Sequence, residues 1–325
     1  MPSRRTVFAA LSVASVIVLA GCASSTEDNT DGALQIVAST NVYGDIAKEI
    51  GGDAVEVTSI IHSLSQDPHS YEASVRDQLT VKNADLVIEN GGGYDAFIDA
   101  LIEASGTDAA VITAAEYSHD WPENAGHTDE EIDHDHADEK SGAHTDHEHI
   151  EGFNEHVWYD PHTITHVADA IAHRLSELDP DNTATFEANA EGFAAQVEGL
   201  EKSLSDIDAA HAGEKIFATE PVPLYLITAA GLVNATPSGF SEAVEEGQDV
   251  PPATLLEAMD VLKAGDVRTV IVNAQTGGAE TTEVTAVAGT QDIPVLEFTE
   301  LLPEGMTYLS WMTQNIADLA GTLTR

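Results

Sequence analysis

The chain has 325 residues, with 57 Asp plus Glu against 12 Lys plus Arg and a formal net charge of −45. No basic surface exists to displace counterions, which excludes nucleic-acid binding through phosphates and adhesion to anionic lipid headgroups. A hydrophobic share of 42% argues against wholesale disorder, and the single cysteine excludes an intramolecular disulfide or a cysteine-based zinc site.

Arg4 and Arg5 precede an apolar stretch from Val7 to Leu19, followed by Leu19-Ala20-Gly21-Cys22. A short positive region, a hydrophobic core and small residues before the cut describe a secretory signal over residues 1–21. The core is shorter than the roughly 20 residues that span a bilayer, so an uncleaved anchor is the weaker alternative. L-A-G-C resembles a bacterial lipobox, which implies lipidation of Cys22. Ser3-Arg4-Arg5 loosely resembles a twin-arginine signal. Residues 22–32 read as a flexible tether. The expected location is extracytoplasmic, on the outer face of the cell membrane, with the lipid anchor as the only membrane contact.

From Leu34 onward, short apolar strands alternate with helical stretches. Leu34–Ala38, Val55–Ile61, Asp85–Ile88 and Ala109–Thr113 are strand-like, with helices near Tyr43–Ile50, Ser74–Lys82 and Tyr94–Glu103. A second set follows, with strands at Lys215–Thr219, Leu232–Ala235, Thr269–Asn273 and Pro294–Phe298. Helices are expected near Tyr225–Ala230, Pro252–Ala264, Glu280–Ala288 and Tyr308–Leu323. This rhythm predicts parallel sheets covered by helices. Between the sets, Phe186, Ala190, Phe193, Val197, Leu200, Leu204 and Ile207 repeat at three- and four-residue steps. They predict either one helix about 40 Å long, a stiff spine, or a broken helical hairpin. The fold class is therefore α/β. Two lobes, 33–180 and 212–325, carry parallel sheets flanked by helices and are joined by a rigid spine over 181–211.

Residues 119–149 break the rhythm. The segment carries His119, His127, His134, His136, His144, His147 and His149 among many acids and scarcely any apolar side chains. Such composition predicts a mobile loop rather than a packed element. Its imidazoles suit weak, multiple metal collection, against the plainer reading of a solvated acidic linker.

Imidazole and carboxylate together suit zinc, manganese, iron or nickel. Asp67-Pro68-His69 follows the second strand, where the ends of parallel strands form ligand crevices. His156-Val157-Trp158-Tyr159-Asp160-Pro161 pairs a histidine with two aromatics and a helix start. Glu220 ends the fifth strand, and Glu300 follows the last. Singly, each is an ordinary loop or surface residue; together they stand just beyond strand ends, two in each lobe. His162 and His166 share one helix face at i, i+4, read here as surface or helix-start residues, without the H-E-x-x-H pattern of zinc proteases. His62, His173 and His211 receive no role.

With these motifs the chain, from Leu34 to its end, resembles the zinc/manganese solute-binding proteins of bacterial ABC importers (cluster A-I). The resemblance rests on D-P-H at 67–69, H-V-W-Y-D-P at 156–161, the His-rich insert and the long spine helix. Thr219–Leu226 and Phe298–Leu302 look like the third- and fourth-ligand regions. It implies His69, His156, Glu220 and Glu300 as metal ligands in the cleft between lobes. The family commonly has His or Glu at the third position and often Asp at the fourth. The two-imidazole, two-carboxylate set points by analogy to manganese and the insert to zinc; Zn²⁺ is favoured, Mn²⁺ next.

The resemblance implies capture of a divalent metal ion by a monomer and its delivery to an ABC permease and its ATPase. No P-loop is present, and four protein ligands leave no vacant position for an activated water, so no enzymatic activity is expected. A secreted metallohydrolase with a His₂-carboxylate site, or a surface metal buffer or adhesin without a transporter, are the rival readings. Two ligands use only two of the 57 acids. A saline habitat explains the excess better, because salt screens self-repulsion.

Overall fold

A computed structural model describes residues 32–124, 150 and 152–324. The signal, Cys22, most of the tether and six of the seven insert histidines (127, 134, 136, 144, 147, 149) lie outside the described residues. Within them, no helix is long and apolar enough to cross a membrane.

The first sheet comprises β1 (Leu34–Thr40), β2 (Val55–Ile61), β3 (Leu86–Glu89) and β4 (Ala110–Thr113), in the order β2-β1-β3-β4. All pairings are parallel: Ile36 stands opposite both Val57 and Leu86, and Val87 opposite Val111. Helices α1 (Asn41–Gly51), α2 (Val75–Lys82) and α3 (Ala96–Ser105) connect these strands. The second sheet repeats the pattern with β5 (Lys215–Ala218), β6 (Val233–Asn234), β7 (Val267–Asn273) and β8 (Val295–Phe298), ordered β6-β5-β7-β8 and again parallel. Near-continuous apolar runs such as Leu86-Val87-Ile88 and Val270-Ile271-Val272 are what sheets covered on both faces require.

Between the sheets run α4 (Pro161–Leu178) and α5 (Thr183–His211). The spine is one unbroken helix of 29 residues, about 44 Å long, and the hairpin alternative falls away. Its buried stripe is the seven-residue series from Phe186 to Ile207. Gly192 and Gly199 face open space, where the missing side chains cost no packing. Five further helices complete the chain: α6 (Leu224–Ala229), α7 (Ser238–Glu245), α8 (Pro252–Lys263), α9 (Ala279–Thr290) and α10 (Tyr308–Leu323).

The two sheets share one core cluster, and each also keeps a smaller one: Val37, Val87, Ile98 and Leu101 on the first, Phe217, Phe240, Val270 and Val284 on the second. The shared cluster of buried side chains runs from Ile36 and Ile46 through Trp158, Phe193 and Leu226 to Phe298, Trp311 and Leu323. Hydrogen bonds stitch it: Asn41 donates to the Leu302 carbonyl (2.8 Å) and accepts from the Leu302 amide (3.0 Å). The Tyr308 amide donates to Asp45 (2.7 Å), its hydroxyl to the Trp158 carbonyl (2.8 Å), and the Tyr159 hydroxyl to the Thr299 carbonyl (2.7 Å).

The start of the predicted loop at 119–149 is packed. His119 lies with Nδ1 3.4 Å from an Asp160 carboxylate oxygen. Trp121 stands edge-on to Phe153 at 5.3 Å, and Asn124 is buried in a turn where it donates to the carbonyls of Glu116 and Ser118.

Candidate metal centre

Each strand end delivers one part of the site. After β2 the chain reaches a single helical turn at Pro68–Ser70, capped by Asp67, which accepts from the His69 amide (3.0 Å) and the Ser70 hydroxyl (2.8 Å). Proline at the first position fixes the turn and so aims His69. After β3, Gly91, Gly92 and Gly93 take φ values of 75°, 69° and 95°. Those conformations are open to glycine, and a Cβ on Gly91 would sit 2.3 Å from Thr113 Cγ2. Asp95 accepts from the amides of Asn90 (2.7 Å) and Gly91 (2.8 Å), and the tight turn drives Tyr94 into the interior.

His156 is fully buried. Asn154 Oδ1 accepts from its backbone amide (3.2 Å) and lies 2.8 Å from Nδ1, which places the ring proton on Nδ1 and turns Nε2 toward the site. Asn154 is itself held by the other lobe: it donates to the Pro221 carbonyl (3.2 Å), and the Tyr225 hydroxyl donates to its backbone carbonyl (2.9 Å).

One donor atom each from His69, His156 and Glu300 lies within 4.8 Å of the other two. His69 Nε2 is 4.0 Å from Glu300 Oε2. Ligands 2.0–2.1 Å from a tetrahedral zinc stand about 3.3–3.4 Å apart. The donors thus need to close by at most about 1.5 Å around an ion. Tyr94 walls the space: its ring is edge-on to His69 at 4.9 Å and 5.7 Å from His156, and its hydroxyl donates to Glu300 Oε2 (3.1 Å).

Glu220 is tied to Glu300 through one side-chain amide. Asn273, at the end of β7, donates through Nδ2 to Glu220 Oε2 (2.8 Å) and to Glu300 Oε1 (2.5 Å), and the Thr276 hydroxyl donates to Glu220 Oε1. Gln275 accepts from the backbone amides of Glu300 and Leu301, both at 2.8 Å, and fixes the loop after β8. Of the four expected ligands, three converge, and Glu220 joins them through Asn273.

Two carboxylates that sequence reasoning missed share the chamber. Glu155, Glu245 and His69 form a second converging trio within 4.8 Å, and Glu245 Oε1 is 3.6 Å from His156 Nε2. Glu155 adjoins a recognisable motif, whereas Glu245 ends α7 in an acid-rich stretch with no distinguishing signal.

The electrostatics are those of a chamber that wants a cation. Burial pushes Glu300 up to about 7, with Asn273 opposing and the nearby Glu220 adding to the rise. Burial and then the charges of Glu155, Glu220 and Glu300 push Glu245 up to about 9. Burial also raises Glu220. A divalent ion would relieve all three.

Comparison with known proteins places these features. The model of the family described as zinc-uptake complex component A, periplasmic (ZnuA) matches residues 36–322. The zinc-binding lipoprotein AdcA of Streptococcus pneumoniae is 27% identical over 318 residues, covering 96% of this chain and 60% of that protein. The chain therefore spans about 60% of the length of that relative. The manganese ABC transporter substrate-binding lipoprotein scaA of Streptococcus gordonii is 26% identical over 338 residues, covering 98% of each. The crystal structure of ZnuA superposes with a TM-score of 0.67 at 21% identity, over 89% of this chain and 98% of that one, a likeness of fold.

Proposed function

The chain belongs to the periplasmic zinc-uptake component A family, and from that premise we propose that it captures a divalent transition-metal ion outside the cytoplasm for an ABC importer. The cargo passes to a membrane permease driven by an ATPase on another chain. The protein acts as a monomeric binding receptor without catalytic turnover, held at the membrane through a lipid on Cys22. His119 and the insert histidines serve as weak collectors.

The observation that carries this reading is the convergence of His69, His156 and Glu300 in a buried chamber at the ends of two parallel sheets. Two imidazoles and one carboxylate, with Glu220 linked to Glu300 through Asn273, make a donor set for a borderline ion, and Zn²⁺ is the preferred cargo. A second reading has its own support: the Glu155–Glu245 pair offers an oxygen-rich set around His69, which suits Mn²⁺.

Elemental analysis of protein purified without added metal, followed by Zn²⁺/Mn²⁺ competition, tests the proposal. One tightly held equivalent of either ion is expected, with zinc displacing manganese. Absence of any stoichiometric metal after loading and desalting would end the receptor reading. Manganese displacing zinc would transfer the assignment to the oxygen-rich set.

A further inference from the structure

Six residues beyond His156 the chain presents a second pair of imidazoles that the cleft does not use. His162 and His166 lie at i, i+4 in the first turns of α4, where side chains four apart stack on one face. Their Nε2 atoms are 3.2 Å apart, with the rings 4.7 Å between centroids and at 86° to each other. Glu201, from the adjoining turn of the spine helix α5, brings Oε1 to 4.0 Å from Nδ1 of His162, and both side chains are nearly half exposed.

The separation of the two nitrogens decides what the pair is fit for. Two imidazole nitrogens, each 2.0–2.1 Å from one zinc ion and 3.2 Å from each other, subtend about 100° at the metal, close to the tetrahedral value. Glu201, 4.0 Å away, is too far for a hydrogen bond to Nδ1 but brings a negative charge beside the pair, which favours a cation there. Exposure lets an ion arrive and lets water complete its coordination. We propose that His162 and His166 form a second, solvent-accessible chelate for a borderline divalent transition-metal ion, beside the charge of Glu201 and separate from the cleft. Two imidazoles with water as the remaining ligands bind Zn²⁺ more weakly than the cleft and discriminate against the harder Mn²⁺. The bound ion staples the first turns of α4, so its binding stabilises the fold.

The plain alternative is an imidazole–imidazole hydrogen bond with no metal role, and thermal unfolding of the full chain separates the two. With one equivalent of Zn²⁺ already bound, a further large excess of Zn²⁺ is expected to raise the Tm by a second step of roughly 2–4 °C. His166→Gln sets an amide near the position of Nε2, so the hydrogen bond to His162 survives while the imidazole donor is lost. It is expected to keep the first step and lose the second, and excess Mn²⁺ is expected to give no second step in the unaltered protein. Equal second steps in both proteins, no second step in the unaltered chain, an equal step with Mn²⁺, or loss of the first step in His166→Gln would each overturn the proposal. Loss of the first step would assign the pair to the cleft instead. Failure of the cleft reading would show separately, as a missing first step in the unaltered protein.

Discussion

Asn154→Ala is the sharpest test of how the cleft is prepared for its ion. The side chain accepts from the His156 amide and from Nδ1, and donates to the Pro221 carbonyl. Truncation leaves the Nδ1 proton of a fully buried imidazole without its acceptor, a loss of about 1–3 kcal/mol. Removing the partner that orients a metal-bound histidine typically weakens binding 10–100-fold, or about 1.4–2.7 kcal/mol, so two independent estimates meet in one range. Asn154→Asp keeps the acceptor, faces the Pro221 carbonyl with a carboxylate oxygen and adds negative charge beside the imidazole; its zinc affinity is expected to stay well above that of Asn154→Ala. Competition against a chromophoric chelator measures all three proteins. If Asn154→Ala binds zinc as tightly as the unaltered chain while His156→Ala does not, the tautomer argument is wrong.

His69→Ala and His156→Ala are each expected to abolish tight binding in the same titration, with a loss well beyond 100-fold; wild-type affinity in either would remove that residue from the site. Glu300 and Glu245 hold folded-state values of about 7 and 9, above the ordinary 4.5, so their stabilising contribution is present at low pH and disappears as pH rises through those values. The metal-free protein should therefore lose Tm between about pH 5 and 9 more steeply than the loaded form, and metal affinity should rise over the same span. Parallel Tm curves for the two forms would contradict this. At a formal charge of −45, Tm should climb from low to molar KCl as self-repulsion is screened; a flat or falling curve would remove the saline explanation.

Much of the scaffold was legible because parallel strands buried on both faces write themselves as apolar runs. β2 has the limits its sequence predicts, and the spine helix starts two residues later than predicted and ends where predicted. The candidate donors on motifs were legible for a related reason: Asp67-Pro68 and Asp160-Pro161 are local devices that aim or follow a histidine. The helix α7 was not foreseen, since Ser238-Gly239 opens it with poor helix formers, and Glu245 was lost with it. Asn154, Asn273 and Gln275 escaped because their roles arise from contacts across the fold, which short polar side chains do not announce. The three glycines before Tyr94 were a readable signal of a backbone forced close to its neighbours. Their consequence, a tyrosine on Glu300, depends on the second sheet and had no local trace.

The core cluster shared by both sheets constrains how a bound ion can alter the outer surface. Asn41, Asp45, Trp158 and Tyr159 are bonded directly to the opposite half, and these bonds oppose a hinge opening between the sheets. Calorimetry should find one cooperative unfolding unit, and neither half should fold when expressed alone. On the proposed function, a permease would have to distinguish full from empty by ångström-scale adjustments of the loops after β2, β5 and β8. Recognition would depend on surface detail at the mouth of the chamber, with the body of the molecule serving as a fixed mount.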